Sequence, residues 1–107
     1  RKVFEKRRNL ILQELNKNQN ITCEVPKGAF YIFPDCSYYL NSHDQNNNTM
    51  KNSTDLAMYI LNKTGVVSVA GDSFGSNGHI RFSYATSEET IKTAMSLTND
   101  ALQKLIF

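Results

Sequence analysis

The chain has 107 residues, 40% of them apolar and 21% charged, with a formal net charge of +2. That length supports one domain with a single modest core. No apolar run approaches a membrane span, no signal peptide is recognised, and the small charge excess argues against a nucleic-acid surface, so neither membrane nor nucleic acid is an expected partner.

The one cluster of basic residues, in positions 1–8, reads as a solvated helix face. Residue 1 is not Met and already lies inside a helical pattern, so the chain is expected to be a piece of a longer protein. Over 3–15, Phe4, Ile11, Leu12 and Leu15 fall on one helical stripe, and 16–18 (Asn-Lys-Asn) should end the helix with Asn in left-handed geometry. Residues 21–25 alternate like a strand, Pro26-Lys27-Gly28 is turn chemistry, and 30–33 is a second strand. Together, 21–33 should form a hairpin that Pro34 stops. Cys23 and Cys36 would not face each other across that hairpin, so both are expected as free thiols in a reducing compartment.

Residues 41–52 are polar and low in complexity, and are expected to be a mobile surface loop with nothing to bury. Sequons at Asn20, Asn47, Asn52 and Asn62 are expected by chance in so asparagine-rich a chain. Ser53 can cap the next helix, whose apolar face is Leu56, Ala57, Ile60 and Leu61 and whose end is Gly65. Residues 66–69 read as a short buried strand. The glycine-rich loop 71–78 (GDSFGSNG) then leads into His79-Ile80-Arg81-Phe82-Ser83-Tyr84-Ala85. A capping box from Thr86 to Glu89 opens the last helix, with a stripe of Ile91, Ala94, Met95, Leu102 and Leu105. Tyr38-Tyr39 is expected to cover the sheet edge. Helices plus a small mixed or antiparallel sheet predict an α+β fold, a two-layer sandwich with the helices on one face of the sheet.

The 79–85 strand puts Ile80, Phe82 and Tyr84 on one face and His79, Arg81 and Ser83 on the other. Arg81 keeps its charge and needs an anion. A structural ion pair, an exposed face, or a bound carboxylate or phosphate held by two parallel hydrogen bonds all satisfy that need. The glycines at 71, 75 and 78 match neither the dinucleotide fingerprint nor the P-loop, and read as a connection that needs positive φ. His43 and His79 lack partners at metal-ligand spacing, and Ser73 and Ser83 lack a local base. No residue of this chain is expected to catalyse a reaction by itself.

Phe4-Glu5-Lys6-Arg7-Arg8, Pro26-Lys27-Gly28-Ala29-Phe30-Tyr31 with Phe33-Pro34, Val66-Val67-Ser68-Val69 leading to Gly71 and Phe74-Gly75, and Ile80-Arg81-Phe82-Ser83-Tyr84-Ala85-Thr86-Ser87 follow one another in order. Together they resemble the C-terminal small domain of the class I aminotransferases, the fold-type I enzymes that use pyridoxal phosphate. The ending SYATS is most similar to the prokaryotic-type aspartate aminotransferases. The resemblance implies that residues 1–107 are that small domain, lacking the large cofactor-binding one. It implies that Arg81 binds the substrate α-carboxylate, and that Gly28, Phe30, Tyr31, Phe74 and Gly75 border the cleft. It further implies pyridoxal 5'-phosphate in the full-length parent and none bound by this chain alone, which is expected to be inactive.

Other implied partners are an amino acid and its 2-oxo acid (aspartate and 2-oxoglutarate), the large domain of the same polypeptide, and a second copy in a homodimer. The implied location is the cytoplasm or an organellar matrix. The Schiff-base lysine, the aspartate on the pyridine nitrogen and most phosphate contacts would lie in the large domain. Apolar surface left bare where that domain docks would favour self-association. Two departures stand out: Ala70-Gly71 where the family has Pro-Gly, and a diverged 41–52 loop. Alternatives are another class I aminotransferase (alanine, aromatic or kynurenine) or a non-catalytic aminotransferase-like regulatory or interaction domain.

Overall fold

The computed structural model describes residues 2–24, 31–84 and 86–107. In chain order the elements are α1 (Lys2–Leu15), β1 (Tyr31–Ile32), a 3-10 turn (Ser37–Tyr39), α2 (Ser53–Thr64), β2 (Val69–Ala70), a second 3-10 turn (Gly71–Phe74), β3 (Ile80–Ser83) and α3 (Glu88–Gln103). The strands form a sheet in the order β1-β3-β2. Both neighbours of β3 run antiparallel to it, with Tyr31 opposite Ser83, Ile32 opposite Phe82, Val69 opposite Arg81 and Ala70 opposite Ile80. The expected two-layer α+β sandwich is the fold observed.

One core joins the layers. Ile32, Ile80, Phe82 and Tyr84 leave the sheet on one side and meet Ile11 and Leu15 of α1, Leu56 and Ile60 of α2, and Ile91, Met95 and Leu102 of α3. Each such burial is worth about 1.5–3 kcal/mol against exposure. The α3 stripe is as expected, and it continues through Thr98, which is fully buried between Met95 and Leu102. Ile11 and Leu15 anchor α1 as expected; the side chain of Phe4 lies outside the described residues.

Several local expectations are corrected. Residues 16–18 do not end α1 with a left-handed Asn, because among the described residues the positive-φ positions other than glycine are Asn41 and Asn47. The backbone instead tightens, Asn18 N–H bonding Leu15 O at 2.9 Å. The Asn18 side chain then turns inward to donate to Tyr39 Oη at 2.8 Å. Of the expected 21–25 strand, residues 21–24 are described, and they pair through one antiparallel bridge, Thr22 to Asp35. The turn of the expected hairpin lies outside the described residues.

Loop 41–52 is neither bare nor loose. It buries Ser42 and Met50, and closes on itself through Asn41 N–H to Met50 O (2.7 Å) and Met50 N–H to Ser42 O (2.7 Å). Asp44 accepts the N–H groups of Asn46 and Asn48, which pull its carboxyl below the usual range; the Asn48 N–H has the larger effect. Asparagine is the side chain that tolerates positive φ best, so the asparagine run builds the turn it was expected to leave floppy. His43 and Ile106 exchange two backbone hydrogen bonds and tie this loop to the C-terminal segment.

The cap of α2 is Asn52, one residue before the expected Ser53, its side chain accepting the Asp55 N–H at 2.9 Å. Similarly, Ser87 caps α3 by accepting the Thr90 N–H at 3.1 Å, since the chain is still extended at Ser87. Gly65 ends α2 at φ 77°, as expected. The 66–69 segment is not a buried strand: Val67 is 75% exposed and only Val69 enters β2. Tyr39 is core rather than edge cover, while Tyr38 lies outside against Phe107 at 5.1 Å. Cys23 and Cys36 are free thiols.

Candidate functional site

Burial along β3 alternates. Ile80 and Phe82 are buried, Arg81 is half-buried and Ser83 is exposed. With the inward face committed to the helices, the pleat sends Arg81 to the opposite face of the sheet. Register then decides its company. Tyr31 lies opposite Ser83 on β1, and Val69 lies opposite Arg81 on β2. Two residues further along, Phe33 and His79 occupy the same outward face, their rings 5.1 Å apart.

Arg81 Cζ stands 4.5 Å from the centroid of the Tyr31 ring. A guanidinium over an aromatic face gains about 0.5–2 kcal/mol, and the contact restricts the directions in which the fork can meet an anion. Tyr31 is still 43% exposed, so this stack lies at the surface of the face rather than beneath it. The outward face is thus an aromatic shelf carrying a fixed cation.

The loop 71–78 is built around a close approach. A Cβ on Gly71 would lie 2.6 Å from His79 O, 2.6 Å from Ser76 O and 2.8 Å from Phe33 Cζ. Gly71 N–H bonds His79 O at 2.7 Å, drawing the start of the loop against the residue that opens the Arg81 strand. Ala70, just before Gly71, stays in the extended conformation at φ −71° and ψ 134°. Gly75 closes the 3-10 turn at φ 75°, as its expected need for positive φ requires. Beside this loop, Asp35 forms a bridge to His79. The Asp35 carboxyl is held below its usual range, first by the Ser37 hydroxyl and then by the Ser37 N–H, with the nearby His79 adding a smaller pull.

Of the residues expected at the cleft, the structure brings Tyr31 against Arg81 and places Gly75 in the connection between β2 and β3. Gly28 and Phe30 lie outside the described residues, as does the side chain of Phe74. Sequence reasoning missed Phe33 as a neighbour on the Arg81 face. The alternation of 79–85 already put His79 there, and a register for β1 would have added Phe33.

The family model for aminotransferase class I and II matches residues 1–97. The chain belongs to that family. A probable aspartate/prephenate aminotransferase of Rhizobium leguminosarum is 37% identical over 88% of this chain and 24% of its own length. The crystal structure of the aspartate aminotransferase from Rhizobium meliloti superposes with a TM-score of 0.90 at 36% identity, over 95% of this chain and 26% of that one. The aromatic aminotransferase from Pyrococcus horikoshii gives a TM-score of 0.76 at 32% identity, over 95% of this chain and 25% of that one. The chain therefore spans about a quarter of the length of the aminotransferases it matches.

Family membership implies pyridoxal phosphate in the whole protein, a group that needs a lysine for its aldehyde and a cradle for its phosphate. The described residues do not build such a site. Their lysines stand on the helices (Lys2, Lys6, Lys63, Lys92) or in the turns beside them (Lys17, Lys51, Lys104), not on the strands that carry Arg81. Among the described residues there is also no cluster of side chains suited to a metal ion.

Proposed function

We propose that this chain is the small domain of an amino-acid aminotransferase, with aspartate as donor and 2-oxoglutarate as acceptor, and that Arg81 binds the carboxylate next to the reacting carbon. The observation carrying the reading is Arg81 itself: a guanidinium stacked on Tyr31, on the sheet face opposite the helices, in a chain of aminotransferase ancestry. Both substrates carry the same α-carboxylate, so one arginine serves both halves of the exchange. A planar fork holding a carboxylate by two hydrogen bonds fixes its rotation as well as its position, which orients the neighbouring C–H bond for proton removal.

Pyridoxal phosphate supplies the electron sink for that chemistry, from the remainder of the polypeptide. Arg81 then orients the substrate from one side of the cleft, and its grip on the carboxylate draws this domain towards the rest of the enzyme. The Tyr31 ring narrows the conformations open to the guanidinium before substrate arrives, which lowers the entropy lost on binding.

The test is kinetic, on the full-length enzyme. Arg81→Ala removes one side of a desolvated charge pair and should lower kcat/KM for aspartate by about a hundredfold or more. Arg81→Lys should recover only part of this, because an ammonium is a point charge without the fork. Unaltered transamination kinetics in Arg81→Ala would remove the reading. Preference for aspartate is tested by comparing donors. Alanine, an aromatic amino acid or kynurenine outrunning aspartate would replace that donor while leaving the Arg81 role intact.

A further inference from the structure

Ser53 is fully buried, yet it is not the cap of α2, a task that falls to Asn52. Its hydroxyl accepts the Gly78 N–H at 2.5 Å, and its own N–H donates to Asn77 Oδ1 at 3.0 Å. The next residue, Thr54, gives its hydroxyl to the Asp72 carboxylate at 2.8 Å. The first turn of α2 therefore grips loop 71–78 near both of its ends. We propose that Ser53 is a positioning residue for Arg81, acting through the backbone of Gly78 and His79. The proposal rests on the carboxylate role given to Arg81 above.

Three features make residues 77–79 the place where Arg81 is aimed. Gly78 sits at φ 94° and approaches Ser37 so closely that a Cβ would lie 2.7 Å from that side chain. Its carbonyl accepts the Cys36 N–H at 2.7 Å, and the carbonyl of His79 accepts the Gly71 N–H at 2.7 Å. Ser53 supplies the acceptor for the remaining polar group of Gly78, its N–H, in a region closed to water. β3 is short, with two paired residues on each neighbour, and its entry is held by the His79–Asp35 bridge and by Ile80 N–H to Pro34 O at 3.2 Å, so its tilt is set where Gly78 and His79 lead into it. Arg81 lies three residues past Gly78, roughly 10 Å along an extended chain. A rotation at the strand entry is therefore carried to the guanidinium, and bidentate carboxylate binding tolerates little error in angle.

Loss of the Ser53 hydroxyl should act on the grip of the carboxylate and leave the chemical step alone. In the full-length enzyme, Ser53→Ala is expected to raise KM for the amino acid and for the 2-oxo acid in parallel, by about three- to thirtyfold, with kcat within about twofold. On an Arg81→Ala background the same substitution should produce no further rise, since its effect passes through Arg81. A fall in melting temperature with both KM values unchanged would overturn the proposal, because it would show Ser53 serving the fold alone. An equal rise with and without Arg81 would overturn it as well.

Should Ser53→Ala fail to fold, Thr54→Val removes the second grip at an exposed position. It should raise both KM values by about two- to fivefold, again only where Arg81 is present; unchanged values would overturn the proposal. Arg81→Ala measured alone keeps the two readings apart. If it leaves KM untouched, the carboxylate role falls and this proposal with it. If it raises KM while the Ser53 and Thr54 variants do not, the positioning role alone fails.

Discussion

Gly71→Ala and Gly75→Ala test two physical reasons for glycine within one loop. At Gly75 the backbone is left-handed, φ 75°, and a Cβ would meet nothing within 4 Å. Alanine there suffers from its own backbone alone, about 1–2 kcal/mol. At Gly71 a Cβ would lie 2.6 Å from each of two carbonyl oxygens, those of His79 and Ser76. The Phe33 ring, 2.8 Å away, can swing aside, but the His79 carbonyl is bonded to Gly71 N–H at 2.7 Å and Ser76 N–H to Gly71 O at 2.9 Å. Relief of the overlap has to stretch those bonds. Overpacking costs about 1–3 kcal/mol and each buried hydrogen bond lost about 1 kcal/mol net, so Gly71→Ala should cost about 3–5 kcal/mol. Guanidinium unfolding of the 107-residue chain, with the slope checked for constancy, measures both variants. A Gly71→Ala cost under about 1 kcal/mol, or one no larger than that of Gly75→Ala, would refute the close approach on which the loop is built.

Two further outcomes follow from buried groups. The Cys36 thiol is pushed from an ordinary 9.0 up to about 12, chiefly by burial and then by the nearby Asp35 and Cys23 charges. The folded state therefore holds a proton that the unfolded chain releases, so stability is complete below about pH 9 and falls by up to about 4 kcal/mol as pH climbs towards 12. Cys36→Ala should flatten that alkaline decline in pH-dependent denaturation, and an identical decline would show that the thiol is not its source. Tyr39→Phe deletes the acceptor of the buried Asn18 amide and should cost about 1–2 kcal/mol by the same denaturation measurement, with no change in the unfolding slope. A cost near zero would show that water replaces the hydroxyl.

The helices and the Arg81 strand were legible because each repeats a pattern. Ile91, Met95 and Leu102 mark one face of a helix, and Ile80, Phe82 and Tyr84 mark one face of a strand, whatever surrounds them. Caps were misplaced by one residue at both α2 and α3, because neighbouring Asn, Ser and Thr all suit the role and tertiary demand chooses among them. Ser53 was needed at Gly78, so Asn52 took the cap. The 66–69 segment misled because valines signal a buried strand, whereas Val67 projects to the surface. Polarity misled over 41–52, where a few side-chain acceptors and two left-handed asparagines build a definite turn. Of the site, Arg81 and its face were legible from alternation alone. The bonds from Ser53 and Thr54 to loop 71–78 were not, since they join residues 25 and 18 apart in sequence with no period to betray them.

The same alternation that makes the fold also makes the site. Sliding β3 by one residue against its neighbours would turn Arg81 into the core and put Phe82 on the open face. Burying a guanidinium without built partners costs several kcal/mol, and losing the burial of Phe82 forfeits about 2 more. Register is thus fixed by the core, and Arg81 is fixed by register with no interaction of its own required. What the core cannot fix is the angle of the guanidinium within its face, because that angle follows the entry of a four-residue strand. That remaining freedom is removed by Tyr31 beneath the fork and by the Ser53 hydroxyl at the strand entry. Packing chooses the face, and a few polar contacts choose the direction.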